Sequence, residues 1–97
     1  MIETLTYEFP ATQSVEHRSH VGVVASGNCE ILLEPSSDQR SAVVVRTSVS
    51  GFDGTWQAVL GRFFARNPVA VAIEINDFGA TPAVVALRLE QALESAQ

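Results

Sequence analysis

Leu5, Tyr7 and Phe9 alternate with Thr4, Thr6 and Glu8, the two-residue period of a strand with one face buried. Pro10 ends that strand, and the polar stretch from Ala11 to Ser19 reads as an irregular loop. Two short apolar runs follow, Val21-Gly22-Val23-Val24-Ala25 and Cys29-Glu30-Ile31-Leu32-Leu33. The linker between them, Ser26-Gly27-Asn28, is rich in residues that tolerate positive φ. This predicts a tight β-hairpin with Ser26 at its tip. A second turn is expected at Glu34-Pro35-Ser36-Ser37-Asp38, and Val43, Val45, Thr47 and Val49 alternate as a further hairpin partner or a central strand.

The period then changes. Trp56, Val59, Leu60, Phe63 and Phe64 recur at three- and four-residue intervals, the apolar stripe of an amphipathic helix closed by Asn67-Pro68. Val69, Val71, Ile73 and Ile75 return to the strand period. Strand, helix and strand at this spacing predict a right-handed crossover between parallel strands. After a turn at Asn76-Asp77-Phe78-Gly79-Ala80, Thr81 is a good N-cap and Pro82 a good first helical residue. Val85, Leu89, Ala92 and Leu93 should then face the core, with Arg88, Gln91 and Glu94 in water. The predicted class is α+β: a single two-layer domain, a mixed β-sheet of about five strands with two helices on one face.

Length allows one core and no second domain: 97 residues bury roughly 65% of the surface of the unfolded chain. Eleven acidic residues against six arginines give a formal charge of −5, and the cations Arg18, Arg40, Arg46, Arg62, Arg66 and Arg88 are scattered. Nucleic acid is therefore not an expected partner, since phosphate binding needs a clustered basic face. No apolar run approaches the roughly 18 residues of a membrane span, so no membrane partner is expected either. Met1-Ile2-Glu3-Thr4 lacks the start of a signal peptide, and the single Cys29 suits a reducing compartment, so the expected location is cytoplasmic.

Few side chains suggest chemistry. Ser26 is an exposed hydroxyl beside a glycine; Ser-Gly pairs also occur in turns for backbone reasons alone. His17 and His20 sit in the predicted loop with no thiol or carboxylate at metal-ligand spacing, and are expected in solvent; no metal site is expected. Cys29, early in a strand with no cation adjoining it in sequence, is expected to be a half-buried, inert thiol. Val24-Ala25-Ser26-Gly27 does not fit the G-x-S-x-G nucleophile elbow. Asp77-Phe78-Gly79-Ala80-Thr81-Pro82 could hold an anion at a helix N-terminus or be a turn followed by a cap; the spacing favours the turn. The chain has no Asp-Ser-Leu motif and no all-helical pattern.

The segment Val21-Gly22-Val23-Val24-Ala25-Ser26-Gly27-Asn28-Cys29-Glu30-Ile31-Leu32 nevertheless resembles the Ser-Gly-(Asp/Asn)-x-Glu segment of the malonate decarboxylase acyl carrier (delta) subunit family. So do Glu3-Thr4-Leu5-Thr6-Tyr7-Glu8-Phe9-Pro10, Thr47-Ser48-Val49, Trp56-Gln57, Asn76-Asp77-Phe78-Gly79-Ala80-Thr81-Pro82 and Arg88-Leu89-Glu90-Gln91. Ala25, where the family would have glycine, and Cys29, where it would have a larger apolar residue, depart from the pattern and remove no needed group.

The resemblance implies a non-catalytic acyl carrier domain over residues 1–97. It implies that Ser26 is the covalent attachment point, through a phosphodiester, of 2'-(5''-triphosphoribosyl)-3'-dephospho-CoA, whose thiol carries malonyl and acetyl thioesters. The partners it implies are the transferase (alpha) and decarboxylase (beta and gamma) subunits, a holo-carrier synthase and a malonyl acyltransferase. No catalytic residue is expected in the chain itself. The competing readings are an adaptor module whose Ser26 is never modified, and a minimal hydrolase using Ser26 or Cys29, for which the sequence offers no paired base.

Overall fold

The computed structural model describes residues 2–97. In chain order the elements are β1 (Glu3–Pro10), β2 (Gln13–Ser14), β3 (Ser19–Gly22), β4 (Cys29–Pro35), β5 (Arg40–Thr47), α1 (Asp53–Arg66), β6 (Val69–Asp77) and α2 (Pro82–Ala96). Five strands make a mixed sheet in the order β1-β5-β6-β4-β3, and the two-residue β2 adds a sixth along the start of β6. The β5–α1–β6 unit joins adjacent parallel strands, with Val43 opposite Ile73 and Val45 opposite Ile75. The β1·β5, β4·β6 and β3·β4 pairs are antiparallel. The α+β class, the two helices and the mixed sheet are as expected.

Alternation decides which face is covered. Cys29, Ile31 and Leu33 of β4, Val43 and Val45 of β5, and Val71, Ile73 and Ile75 of β6 are buried against the helices. The predicted stripe of α1, Trp56, Val59, Leu60, Phe63 and Phe64, is buried in full. At about 2 kcal/mol for each large side chain removed from water, that stripe is the main attachment of α1 to the sheet. Phe64 also stacks on Phe9 of β1, ring centroids 4.7 Å apart. Val85, Leu89, Ala92 and Leu93 of α2 are buried as expected, and Ala96 joins them. The opposite sheet face carries Arg46 paired with Glu74, and Arg40 3.1 Å from Glu8. These exposed pairs contribute about 0–1 kcal/mol each, so the fold rests on the covered face.

Four local expectations are corrected. First, the hairpin is not tight: β3 stops at Gly22, and residues 23–28 form the connection, leaving Val23 and Val24 53% and 54% exposed rather than in the strand. Second, the stretch 11–19 is not a free loop. Ala11 and Val15 are buried, Thr12 N and Gln13 N both donate to Pro68 O, and Glu16 N and His17 N both donate to Ala96 O. Its polar side chains point outward while its backbone closes one end of the sheet and the end of α2. His20 lies on β3 rather than in this stretch. Third, β5 ends at Thr47, so Val49 is exposed. Fourth, Arg88 of α2 is half-buried and turned toward Asn28 instead of facing water.

Candidate functional site

Ser26 sits in the β3–β4 connection, at the tip of the predicted hairpin, and is exposed. Asn28 N donates to Ala25 O at 3.0 Å, closing a four-residue turn with Ser26 and Gly27 in its centre. Gly27 has φ +74 and, among the described residues, no non-glycine has positive φ, the type II pattern in which glycine is favoured at the third position. A Cβ placed on Gly27 would meet nothing within 4 Å, so the side of the turn next to Ser26 is open.

The turn is nevertheless held firmly, because a second turn lies against it. Gly27 N donates to Phe78 O at 2.7 Å, and Phe78 N donates to Asn28 O at 3.0 Å. Asn28 Oδ1 accepts from Cys29 N at 2.8 Å and from Arg88 Nε at 3.4 Å. Gly22, at the other end of the connection, has φ +80 and passes so close to β4 that a Cβ would lie 2.1 Å from Cys29 O. The hydroxyl-bearing residue is thus exposed while the backbone on both sides of it is bonded in place.

The supporting turn, residues 76–80, leads from β6 into α2. Asp77 is buried; its Oδ2 accepts from Thr47 Oγ1 at 2.8 Å and Gly79 N at 3.3 Å, and its Oδ1 from Ala80 N at 3.0 Å. Thr81 Oγ1 accepts from Val84 N at 3.2 Å, as predicted for the cap of α2. The amides of Gly79, Ala80 and Val84 are therefore occupied by Asp77 and Thr81, and the segment is a turn and cap.

Cys29 is fully buried, not half-buried, and does have a cation near it. Burial, and secondarily the charge of Asp77, push its pKa from 9.0 up to about 11, against a smaller opposing effect of Arg88. Such a thiol is protonated at neutral pH and a poor nucleophile. Ellman's reagent should leave it untouched in the native protein at pH 7 and titrate it on unfolding; fast native reaction would contradict this. The unfolded chain releases the thiol proton first, so this contribution to stability is present below pH 9 and is lost as pH rises towards 11.

His20 and His17 are exposed, as expected, and His20 Nε2 lies 2.9 Å from Glu30 Oε2. Hydrogen bonds from Asn76 and then from His20 hold the Glu30 carboxyl below its usual range. Neither histidine bonds to the Ser26 turn, whose bonding partners are Phe78 and Arg88. Among the described residues there is no cluster of His, Cys, Asp or Glu that could hold a metal ion. No helix among them is long and apolar enough to cross a membrane.

Sequence reasoning missed a cleft of about 370 Å³ between the first turns of α1 and α2, with Phe52, Trp56, Ala80 and Val85 in its wall. It also missed the contact of Arg88 with Asn28. The pairing of two residues 60 positions apart has no signature in hydrophobic period.

Comparison with known proteins now decides the family. The family described as malonate decarboxylase delta subunit (MdcD) matches residues 16–96. The chain belongs to the malonate decarboxylase delta subunit family. It is 51% identical over 94 residues to the malonate decarboxylase acyl carrier protein of Azotobacter vinelandii, covering 96% of this chain and 95% of that one. It is 50% identical over 96 residues to the protein of that name from Pseudomonas aeruginosa strain UCBPP-PA14, covering 98% and 97%. Its fold is similar, with TM-score 0.93 and 48% identity, to a chain in the crystal structure of a Pseudomonas malonate decarboxylase hetero-tetramer in complex with malonate, covering 98% of this chain and 99% of that one. The resemblance read from the sequence is therefore borne out at the level of the family. Within this delta-subunit fold the Ser26 turn and the 76–80 turn are one structural unit.

Proposed function

We propose that this chain is the acyl carrier subunit of a malonate decarboxylase and that Ser26 Oγ carries 2'-(5''-triphosphoribosyl)-3'-dephospho-CoA through a phosphodiester. The observation that carries the reading is the exposed Ser26 on a turn whose backbone is bonded at both flanks, in a chain half identical over its length to named acyl carrier proteins. The residues present suit such a group. The open space beside Gly27 admits a modifying enzyme, and no histidine adjoins the hydroxyl to turn the site toward hydrolysis.

The group supplies a thiol that holds malonyl or acetyl as a thioester. The chain's own part is to anchor it and present it. Bonds from Phe78 and Arg88 keep the turn rigid, so the anchor stays in one place while the arm moves. A flexible tether of this kind raises the concentration of its cargo at a partner site to the millimolar range. Val23 and Val24, exposed just before Ser26, offer apolar contact to each partner in turn. Those partners are the transferase (alpha) and decarboxylase (beta and gamma) subunits, a holo-carrier synthase that installs the arm, and a malonyl acyltransferase that primes it. On this reading the chain is not itself an enzyme and works in the cytoplasm, where a free Cys29 is unremarkable.

Intact-mass measurement and peptide mapping of the carrier purified from its own decarboxylating complex test the proposal. The peptide containing Ser26 should bear the whole arm. An unadorned Ser26 in a complex that still decarboxylates malonate overturns it.

A further inference from the structure

We propose that the cleft between α1 and α2 shelters the acetyl thioester end of the arm anchored at Ser26 and excludes the malonyl form. The inference rests on the arm being present, as argued above. Its starting point is position. Gly79 is part of the cleft wall, and a Cβ placed on it would lie 3.8 Å from Gly27 N. The anchoring turn thus lies against one residue of the cleft wall, so an arm leaving Ser26 starts close to the cleft.

Chemistry selects the occupant. The cleft measures about 370 Å³, within the range of small-ligand pockets, roughly 300–1,000 Å³. Phe52, Trp56, Val59 and Val85 make it largely apolar, and none of its lining residues is Lys, Arg or His. Asp77 is the one charged group in the wall. The positive ends of two helices lie at the cleft; Asp53 places a carboxylate in the first turn of α1, whose N-cap Phe52 makes no side-chain bond, while Thr81 caps α2 and Asp77 takes up the amides before it. A malonyl carboxylate entering here would lose water, gain no cation and approach a like charge, which is unfavourable. The acetyl group has no charge to desolvate. Held by its tether at about millimolar concentration, it would fill the cleft about half the time even if its intrinsic affinity were only millimolar. The acetyl thioester would then be withdrawn from water and stray nucleophiles, while the malonyl thioester stays outside for the decarboxylase subunits.

The test uses carrier whose arm has been located on Ser26 by mass, loaded with acetyl or with malonyl and labelled with nitrogen-15. Trp56 is the only tryptophan, so its indole N–H resonance reports on the cleft directly. That resonance and the Gly79 and Ala80 amides should shift in the acetyl form relative to carrier whose arm ends in a free thiol, and stay in place in the malonyl form. Thr55→Phe, at an exposed residue of the cleft wall, should abolish the acetyl shift with no change in far-ultraviolet circular dichroism. It should also speed hydroxylamine cleavage of the acetyl thioester about twofold, as expected when a half-filled shelter is closed. Identical spectra for acetyl and malonyl carriers, shifted or unshifted, overturn the cleft proposal and leave the acyl carrier reading standing. Absence of the arm from Ser26 in the native complex removes both.

Discussion

Replacing Ser26 with Ala should eliminate acyl carriage completely while leaving the fold intact. Ser26 is exposed, and the bonds that hold its turn run through the backbone of Ala25, Gly27 and Asn28 and the side chain of Asn28, none of which the substitution removes. A surface change of this kind costs within about 0.5 kcal/mol, which for a domain of this size moves the unfolding midpoint by no more than about 4 °C. Incubation with holo-carrier synthase and the arm's precursor, read by intact mass, should give full conversion of the parent and none of the variant. Malonate decarboxylation by a complex reconstituted with the variant should fall to background. A drop of more than 10 °C would instead assign Ser26 to the architecture of the turn, about 2 kcal/mol of it.

Gly22→Ala should have the opposite profile, a severe loss of stability with the hydroxyl untouched. Two independent costs combine at this position. The residue has φ +80, where an L side chain is strained by about 1–2 kcal/mol. Its Cβ would also overlap Cys29 O at 2.1 Å, a backbone atom of β4 that cannot move aside without breaking the strand's pairing with β6. Together these predict destabilisation of about 3 kcal/mol or more, a fall in the unfolding midpoint of about 12–24 °C. Denaturant titration and thermal melts measure it directly. Gly27→Ala provides the contrast: its Cβ would meet nothing within 4 Å, so only the conformational cost of φ +74 remains and the loss should be about half as large. Equal melting points for Gly22→Ala and the parent would mean that the close approach of β3 to β4 is relieved by a small shift of the backbone.

Ser26 lies within the β3–β4 connection and Gly22 at its start, and their contrast separates anchoring from architecture. The hydroxyl at Ser26 is free of structural duty, and the glycine at 22 is free of chemical duty. The connection can therefore be rigid and chemically available at once. The 76–80 turn completes the device, since Phe78 binds the backbone on both sides of Gly27 without covering Ser26.

Residue order alone determined the elements whose evidence is local. The two-residue period marked β1, β5 and β6, the three- and four-residue spacing marked every buried side chain of α1, and Thr81-Pro82 marked the start of α2. Each of these signals is the imprint of one buried face on a backbone of known pitch, so a short window contains it. The family was legible too, because its resemblance runs through several segments at once. Tertiary structure alone decided that β6 inserts between β5 and β4, that β3 ends at Gly22, that the backbone of residues 11–19 binds Pro68 and Ala96, and that Asn28 meets Arg88. It also decided that the Ser26 turn rests on the turn before α2, with a cleft beside them. The physical reason is that strand order and turn-to-turn contact are made by backbone amides and carbonyls, which every residue carries alike. Which of them meet depends on how the whole apolar surface is buried, and no local pattern records it.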